Sequence, residues 1–180
     1  MRVVVLDTET TGLNRRRGCD VCSGHRVIEV GCVEVVDWAV TGRVFHTFLN
    51  PGRAVDPKAL AVHGVTDEFL NDKPKFEDVV RELLGFIGES VLVIHNAPFD
   101  ISFLDQEFSL LRRDLQPIGA LFQFVDTLAM ARAMFPGMKN GLDSLCLRFD
   151  AGERVGRHNA LEDARLLAHV YVRMARYRGG

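Results

Sequence analysis

Little in this sequence of 180 residues supports a disulfide framework, a membrane span or a broad basic surface. Its four cysteines (Cys19, Cys22, Cys32, Cys146) are too few to staple a chain of this length. Cys19-x-x-Cys22 has His25 nearby, but no second pair at finger-like spacing follows, so the pair reads as reduced loop thiols rather than a zinc site. No apolar run approaches the roughly 18 residues of a membrane helix. The stretch Val3–Leu6 stops at Asp7, too soon for a signal peptide. With 22 Lys and Arg against 24 Asp and Glu, the net charge of −2 argues against holding nucleic acid through a bulk positive field. It leaves room for a protein that meets phosphates through bound cations, which bring their own charge. Also missing are the phosphate loop Gly-x-x-x-x-Gly-Lys-Ser/Thr, Gly-x-Gly-x-x-Gly, the Gly-x-Ser-x-Gly elbow and His-Glu-x-x-His. There is no internal repeat and no low-complexity tract.

What is present is an apolar fraction of 47%, enough for a packed core. The length favours one domain spanning residues 1–180, and the composition predicts a soluble, cytoplasmic protein. Val3–Asp7 reads as a buried central strand. Val27–Val36 and Arg43–Leu49, separated by the turn-like Thr41-Gly42, read as a hairpin or meander. Val91–Ile94 and Phe122–Val125 read as further core strands, the latter ending at Asp126. Helical periodicity begins near Asp56-Pro57 and returns over Phe76–Ile87, where Phe76, Val79, Val80, Leu83, Leu84 and Ile87 share one face. It returns again over Phe99–Leu111, Thr127–Phe135, Leu142–Phe149 and Asn159–Arg176. All six prolines fall between these segments. Strands first, then strand–helix alternation, predict an α/β fold with a mixed sheet.

Three segments carry chemistry. In Asp7-Thr8-Glu9 the two carboxylates are two residues apart, so on an extended chain both face one point. Such a pair repels unless a cation joins it; the alternative is a polar loop that begins there. In His95-Asn96-Ala97-Pro98-Phe99-Asp100, the carboxylate of Asp100 falls in a first helical turn, where the helix dipole alone is reason enough for an acid. In His158-Asn159-Ala160-Leu161-Glu162-Asp163, Asn159 and Glu162 fit a capping box. That places His158 on a loop end and Asp163 just past the first turn, above a packing stripe of Leu161, Ala164, Leu167 and Ala168. Singly, each has a structural reading. Together, four carboxylates at strand or helix termini and one loop histidine form a set able to hold two divalent cations and accept a proton. Oxygen ligands of this kind suit Mg²⁺ or Mn²⁺ better than zinc.

At these segments the sequence resembles the DnaQ-like, or DEDDh, family of 3′→5′ exonucleases. Leu6-Asp7-Thr8-Glu9-Thr10-Thr11-Gly12-Leu13 resembles its first motif, Asn96-Ala97-Pro98-Phe99-Asp100 its second, and His158 through Asp163 its third. Neither Tyr171 nor Tyr177 is followed four residues on by Asp, which separates the chain from the tyrosine branch. Val62–Leu70, Glu107–Leu111 and Met134–Gly137 resemble the members that proofread for bacterial DNA polymerase III, and the likeness spans roughly residues 2–174.

The resemblance implies a ribonuclease H-like fold, a central mixed β-sheet flanked by α-helices. It implies two divalent metal ions, Mg²⁺ or Mn²⁺, with Asp7, Glu9 and Asp163 on the first, Asp7 bridging to the second and Asp100 supporting it directly or through water. His158 would be the general base. The implied substrate-binding set is Asp7, Glu9, Thr10, Thr11, Gly12, Leu13, His63, Asn96, Phe99 and Asp163; for Phe99, core packing at the start of its helix is the alternative. The implied reaction releases nucleoside 5′-monophosphates from a single-stranded or frayed DNA 3′ end. The implied partners are the polymerase III catalytic subunit and a small accessory subunit, in the bacterial cytoplasm at the replication fork. Action on RNA or short oligonucleotides, and a non-catalytic role stabilising a polymerase, are the competing readings.

Three features depart from the family pattern. Lys58 stands where the proofreading members have a Glu counted among substrate contacts, so that contact is not carried over. The loop Asn14–Arg26 is slightly longer and holds Arg15-Arg16-Arg17, read either as a solvated loop or as a contact to the DNA backbone. The tail that in such members binds the sliding clamp and polymerase has no counterpart in these 180 residues.

Overall fold

The computed structural model describes residues 1–111 and 116–177. Five strands form one mixed sheet: β1 (Arg2–Thr10), β2 (Val27–Val36), β3 (Ala39–Phe48), β4 (Val91–Ile94) and β5 (Phe124–Asp126), in the order β3-β2-β1-β4-β5. The β1–β2 and β2–β3 pairs are antiparallel, while β1–β4 and β4–β5 are parallel. The helices are α1 (Pro57–His63), α2 (Asp67–Leu70), α3 (Phe76–Ile87), α4 (Ala97–Leu111), α5 (Ile118–Leu121), α6 (Thr127–Met134), α7 (Leu142–Phe149) and α8 (Ala160–Arg176). Among the described residues no helix is long and apolar enough to cross a membrane.

The alternation of β1 sorts the core into two layers. Val4 and Leu6 face one side, where Phe76, Leu83 and Ile87 of α3 and Phe103 and Leu104 of α4 pack. Val3 and Val5 face the other, against Leu161, Ala164, Leu167 and Ala168 of α8. That second row fixes the site, because Asp7 and Glu9 continue it.

Several boundaries differ from expectation. β1 runs on through Thr10, so Asp7 and Glu9 lie within the strand and not beyond its end. Thr41-Gly42 is not the turn between β2 and β3; it lies inside β3. The chain reverses at Asp37-Trp38, both at positive φ (48° and 65°), the two-residue geometry that suits the twist of a hairpin. Trp38 is held there by packing on Tyr171, ring centroids 5.8 Å apart, a tertiary contact that overrides turn propensity. β5 starts two residues later than expected because Ile118–Leu121 and Phe122 form a short helix and its cap. The Asn159 cap of α8 is present, its Oδ1 accepting from the Glu162 N–H at 3.1 Å. The reciprocal half of the box is not: the Glu162 side chain pairs with Arg165 instead.

Candidate active site

Asp7 and Glu9 project from β1 toward α8, and Asp163 projects back from the first turn of α8. The approach depends on Gly31, which pairs with Asp7 in the sheet: a Cβ there would stand 2.4 Å from the Ala160 carbonyl carbon. One oxygen each of Glu9 and Asp163 and a ring nitrogen of His158 lie within 4.8 Å of one another. His158 Nδ1 is 3.3 Å from Asp163 Oδ2, and its backbone N–H donates to the Val62 carbonyl at 3.4 Å, tying this loop end to α1. Asp100, in the first turn of α4, is buried, and its Oδ1 accepts from the Thr8 N–H (3.0 Å) and hydroxyl (2.7 Å).

These carboxylates line one cleft of about 380 Å³, together with Thr8, His95, Phe99, Asp143, Arg154 and His158. Desolvation and mutual repulsion act on them in the same direction. Burial, with Glu29, Asp163 and Asp100 around it, pushes Glu9 from 4.5 up to about 8. Burial pushes Asp100 up to about 7 against the opposing Thr8 hydrogen bonds. Asp7 is raised well above the usual carboxylate range by burial and then by Asp100, Glu9 and Asp163. Burial also raises Asp163, although Arg154 and His158 pull it back. Asp163 Oδ1 is buried and has no hydrogen-bond partner among the described residues. A buried, unpaired carboxylate oxygen among further acids fits a hard divalent cation, which would relieve repulsion and desolvation together.

Beside this cleft, sharing Glu9 and Phe99 with it, opens a larger and mostly apolar cavity of about 550 Å³. Thr10, Gly12, Leu13, Val62 and His63 line it, with Arg15 and Lys58 at its wall. His63 is buried at the end of α1; its Nδ1 accepts from the Val65 N–H at 3.0 Å, while Nε2 has no partner among the described residues.

The exonuclease family model matches residues 4–171. DNA polymerase III subunit epsilon of Escherichia coli K12 is 51% identical over 174 residues, covering 96% of this chain and 71% of the relative. The chain belongs to the exonuclease family. It is therefore a nuclease, a hydrolase acting as a 3′→5′ exonuclease. DNA polymerase III subunit epsilon of Rickettsia felis is 49% identical over 176 residues, covering 97% of this chain and 74% of the relative. Among solved structures, exonuclease X in complex with 5′-overhanging duplex DNA superposes with a TM-score of 0.73 at 25% identity, covering 97% of this chain and 91% of that one. The nuclease domain of 3′hExo, a DEDDh family member bound to rAMP, superposes with a TM-score of 0.79 at 15% identity over 97% and 92%, which shows a shared fold. That fold is ribonuclease H-like.

Within this exonuclease, most of the side chains that the motifs suggested share the two adjoining cavities. Thr11 and Asn96 do not line either. The Thr11 hydroxyl is buried and accepts from the Arg26 N–H at 3.0 Å, and Asn96 is an exposed residue at positive φ (67°) leading into α4. Cys19 is exposed, Cys22 is buried, and the nearby His25 ring faces Asp56 at 3.9 Å. Sequence reasoning missed three residues and gave His95, at the head of the second segment, no role of its own. Arg154 and Asp143 line the cleft from a loop and a helix start that lack a motif. Glu29 is fully buried beside Glu9, where Asn159 Nδ2 (2.6 Å) and His46 Nε2 (2.7 Å) meet its Oε1. An acid inside the apolar run Val27–Val36 was the available signal for Glu29.

Proposed function

We propose that this exonuclease degrades a single-stranded or frayed DNA 3′ end, releasing nucleoside 5′-monophosphates, and proofreads as a single exonuclease domain for a bacterial DNA polymerase III. The observation that carries the reading is the convergence of Glu9, Asp163 and His158 at the seam between the acidic cleft and the apolar cavity. The name shared by relatives at about half identity over most of both chains supports the replicative role. It also supports a DNA polymerase III assembly as the partner; the proposal takes its catalytic subunit and a small accessory subunit as the contacts, at the cytoplasmic replication fork.

Asp7, Glu9 and Asp163 would hold one divalent ion; Asp7 would bridge to a second, with Asp100 oriented by Thr8 to support it. Bound there, Mg²⁺ or Mn²⁺ supplies the positive charge that offsets the phosphate and activates a water for attack on it. His158 accepts the proton from the attacking water; its loop position leaves the ring partly exposed and able to pass that proton to solvent. Leu13, Val62 and Phe99 offer apolar surface to an unstacked terminal base, and Gly12 lets the backbone come close. A phosphodiester inside a stacked duplex end cannot reach the cleft floor, so the strand must fray first. A mispaired end frays at lower cost, which yields selectivity for errors without reading the base.

The direct test is hydrolysis of 3′-labelled primers with matched and mismatched termini, alongside an RNA strand of the same sequence, with and without chelator. The expected result is cation-dependent release of mononucleotides, fastest from the mismatched DNA end. A preference for RNA would overturn the proofreading role. Absence of hydrolysis on every 3′ end, with polymerase binding retained, would leave a scaffold.

A further inference from the structure

Arg154 sits in the loop between α7 and α8, its side chain only 11% exposed, with its guanidinium turned into the acidic cleft. Nη1 donates to Asp163 Oδ2 at 2.6 Å. The other edge donates to Asp143, Nε at 3.2 Å and Nη2 at 3.0 Å on Oδ1. Asp143 is a mostly exposed carboxylate at the start of α7, so it can keep its arginine whatever happens deeper in the cleft. His158 Nδ1 stands 3.3 Å from the same Asp163 oxygen.

We propose that Arg154 exchanges partners during the enzyme's cycle, yielding Asp163 to a divalent cation and taking the phosphate of the substrate in its place. This rests on the reading of the carboxylates as a two-cation site. A guanidinium on Asp163 Oδ2 and a divalent ion on Oδ1 of the same carboxylate repel each other across a few ångström. The divalent ion carries twice the charge and gains Asp7 and Glu9 as further ligands, so the arginine gives way. Two such ions balance Asp7, Glu9, Asp100 and Asp163, so an entering phosphodiester adds a negative charge beside Asp143, and Arg154 is the cation that faces both. Anchored by Asp143, the freed Nη1 remains in the cleft as a donor, and the planar fork of Arg suits a phosphate oxygen. Before cation binding the same residue neutralises part of an otherwise self-repelling cluster. Arg154 is thus a countercharge in one state and a phosphate contact in the other.

The experiment compares wild type with Arg154→Met, neither needing turnover. Mn²⁺ binding is followed by electron paramagnetic resonance without nucleotide; thymidine 5′-monophosphate is then titrated into the Mn²⁺-loaded protein. The variant is expected to bind Mn²⁺ several-fold tighter and the monophosphate roughly tenfold more weakly, the loss of about one charge-assisted hydrogen bond. Unchanged or weaker Mn²⁺ binding would overturn the exchange, leaving Arg154 a support for Asp163. Tighter Mn²⁺ with unchanged monophosphate binding would overturn the phosphate contact. If wild type binds no Mn²⁺, the two-cation reading itself fails, an outcome distinct from either. Circular dichroism checks the fold, and Arg154→Gln, which is polar but shorter and uncharged, carries the same expected directions should the Met variant misfold.

Discussion

Gly31 of β2 lies directly against the backbone of Ala160 at the first turn of α8, so closely that a Cβ on Gly31 would come within 2.4 Å of both the Ala160 carbonyl carbon and the Leu161 nitrogen. Since Gly31 is paired with Asp7, this one absent side chain sets how near Asp163 comes to the strand acids. Gly31→Ala must push the helix off the sheet, because neither contact is with a flexible side chain. The expected outcome is a loss of about 1–3 kcal/mol in stability, the range for an overpacked core. A fall in cation affinity should accompany it, since the ligands no longer converge. Thermal unfolding and a Mn²⁺ titration check both.

Asp7 is raised well above the usual carboxylate range by burial and by three neighbouring acids. Replacing it by Asn removes one of four acids from a buried cluster while keeping its shape. In chelator the thermal midpoint of Asp7→Asn should rise above that of wild type, because repulsion and desolvation are relieved. Turnover should fall about 10³-fold or more, several kcal/mol of transition-state charge stabilisation. A parallel loss of stability and activity would mean that Asp7 acts as a structural group.

Without cations, stability should decline as pH rises from about 4.5 to 8. Glu9 contributes to this: raised from 4.5 to about 8, it keeps a proton in the folded protein that the unfolded chain has already released over that window. The unfolded state therefore binds fewer protons, and the slope of stability against pH is negative. Asp100, pushed up to about 7, adds in the same direction over the lower part of the window. Saturating Mn²⁺ should flatten or reverse the decline, since a cation is held only by the deprotonated acids. Thermal midpoints at pH 5, 6.5 and 8, in chelator and in Mn²⁺, measure it.

His158 is exposed and lies on a loop end, so its removal should cost little stability. His158→Ala is expected to lower kcat by about 10²–10⁴-fold, the span for loss of a general base, with KM and Mn²⁺ affinity little changed. Single-turnover hydrolysis beside a Mn²⁺ titration separates these effects. A large loss of Mn²⁺ affinity would assign His158 to the ligand set instead.

The sequence by itself determined the period-two rows of β1, the apolar stripe of α8 with its Asn159 cap, and the identity of four acids and a histidine as one chemical set. These are local matters: alternation, helical spacing and capping chemistry are written within a few neighbouring residues. Only the tertiary structure decided that Asp7 and Glu9 sit inside the strand, and that the hairpin reverses at Asp37-Trp38 against Tyr171. It alone turned the Thr11 hydroxyl away from the cavity and brought Glu29 and Arg154 to the acids. Those outcomes depend on pairs distant along the chain, such as Glu29 with Asn159 or Gly31 against Ala160. Whether such pairs meet is fixed by packing density and charge balance in the assembled core, which local spacing does not encode.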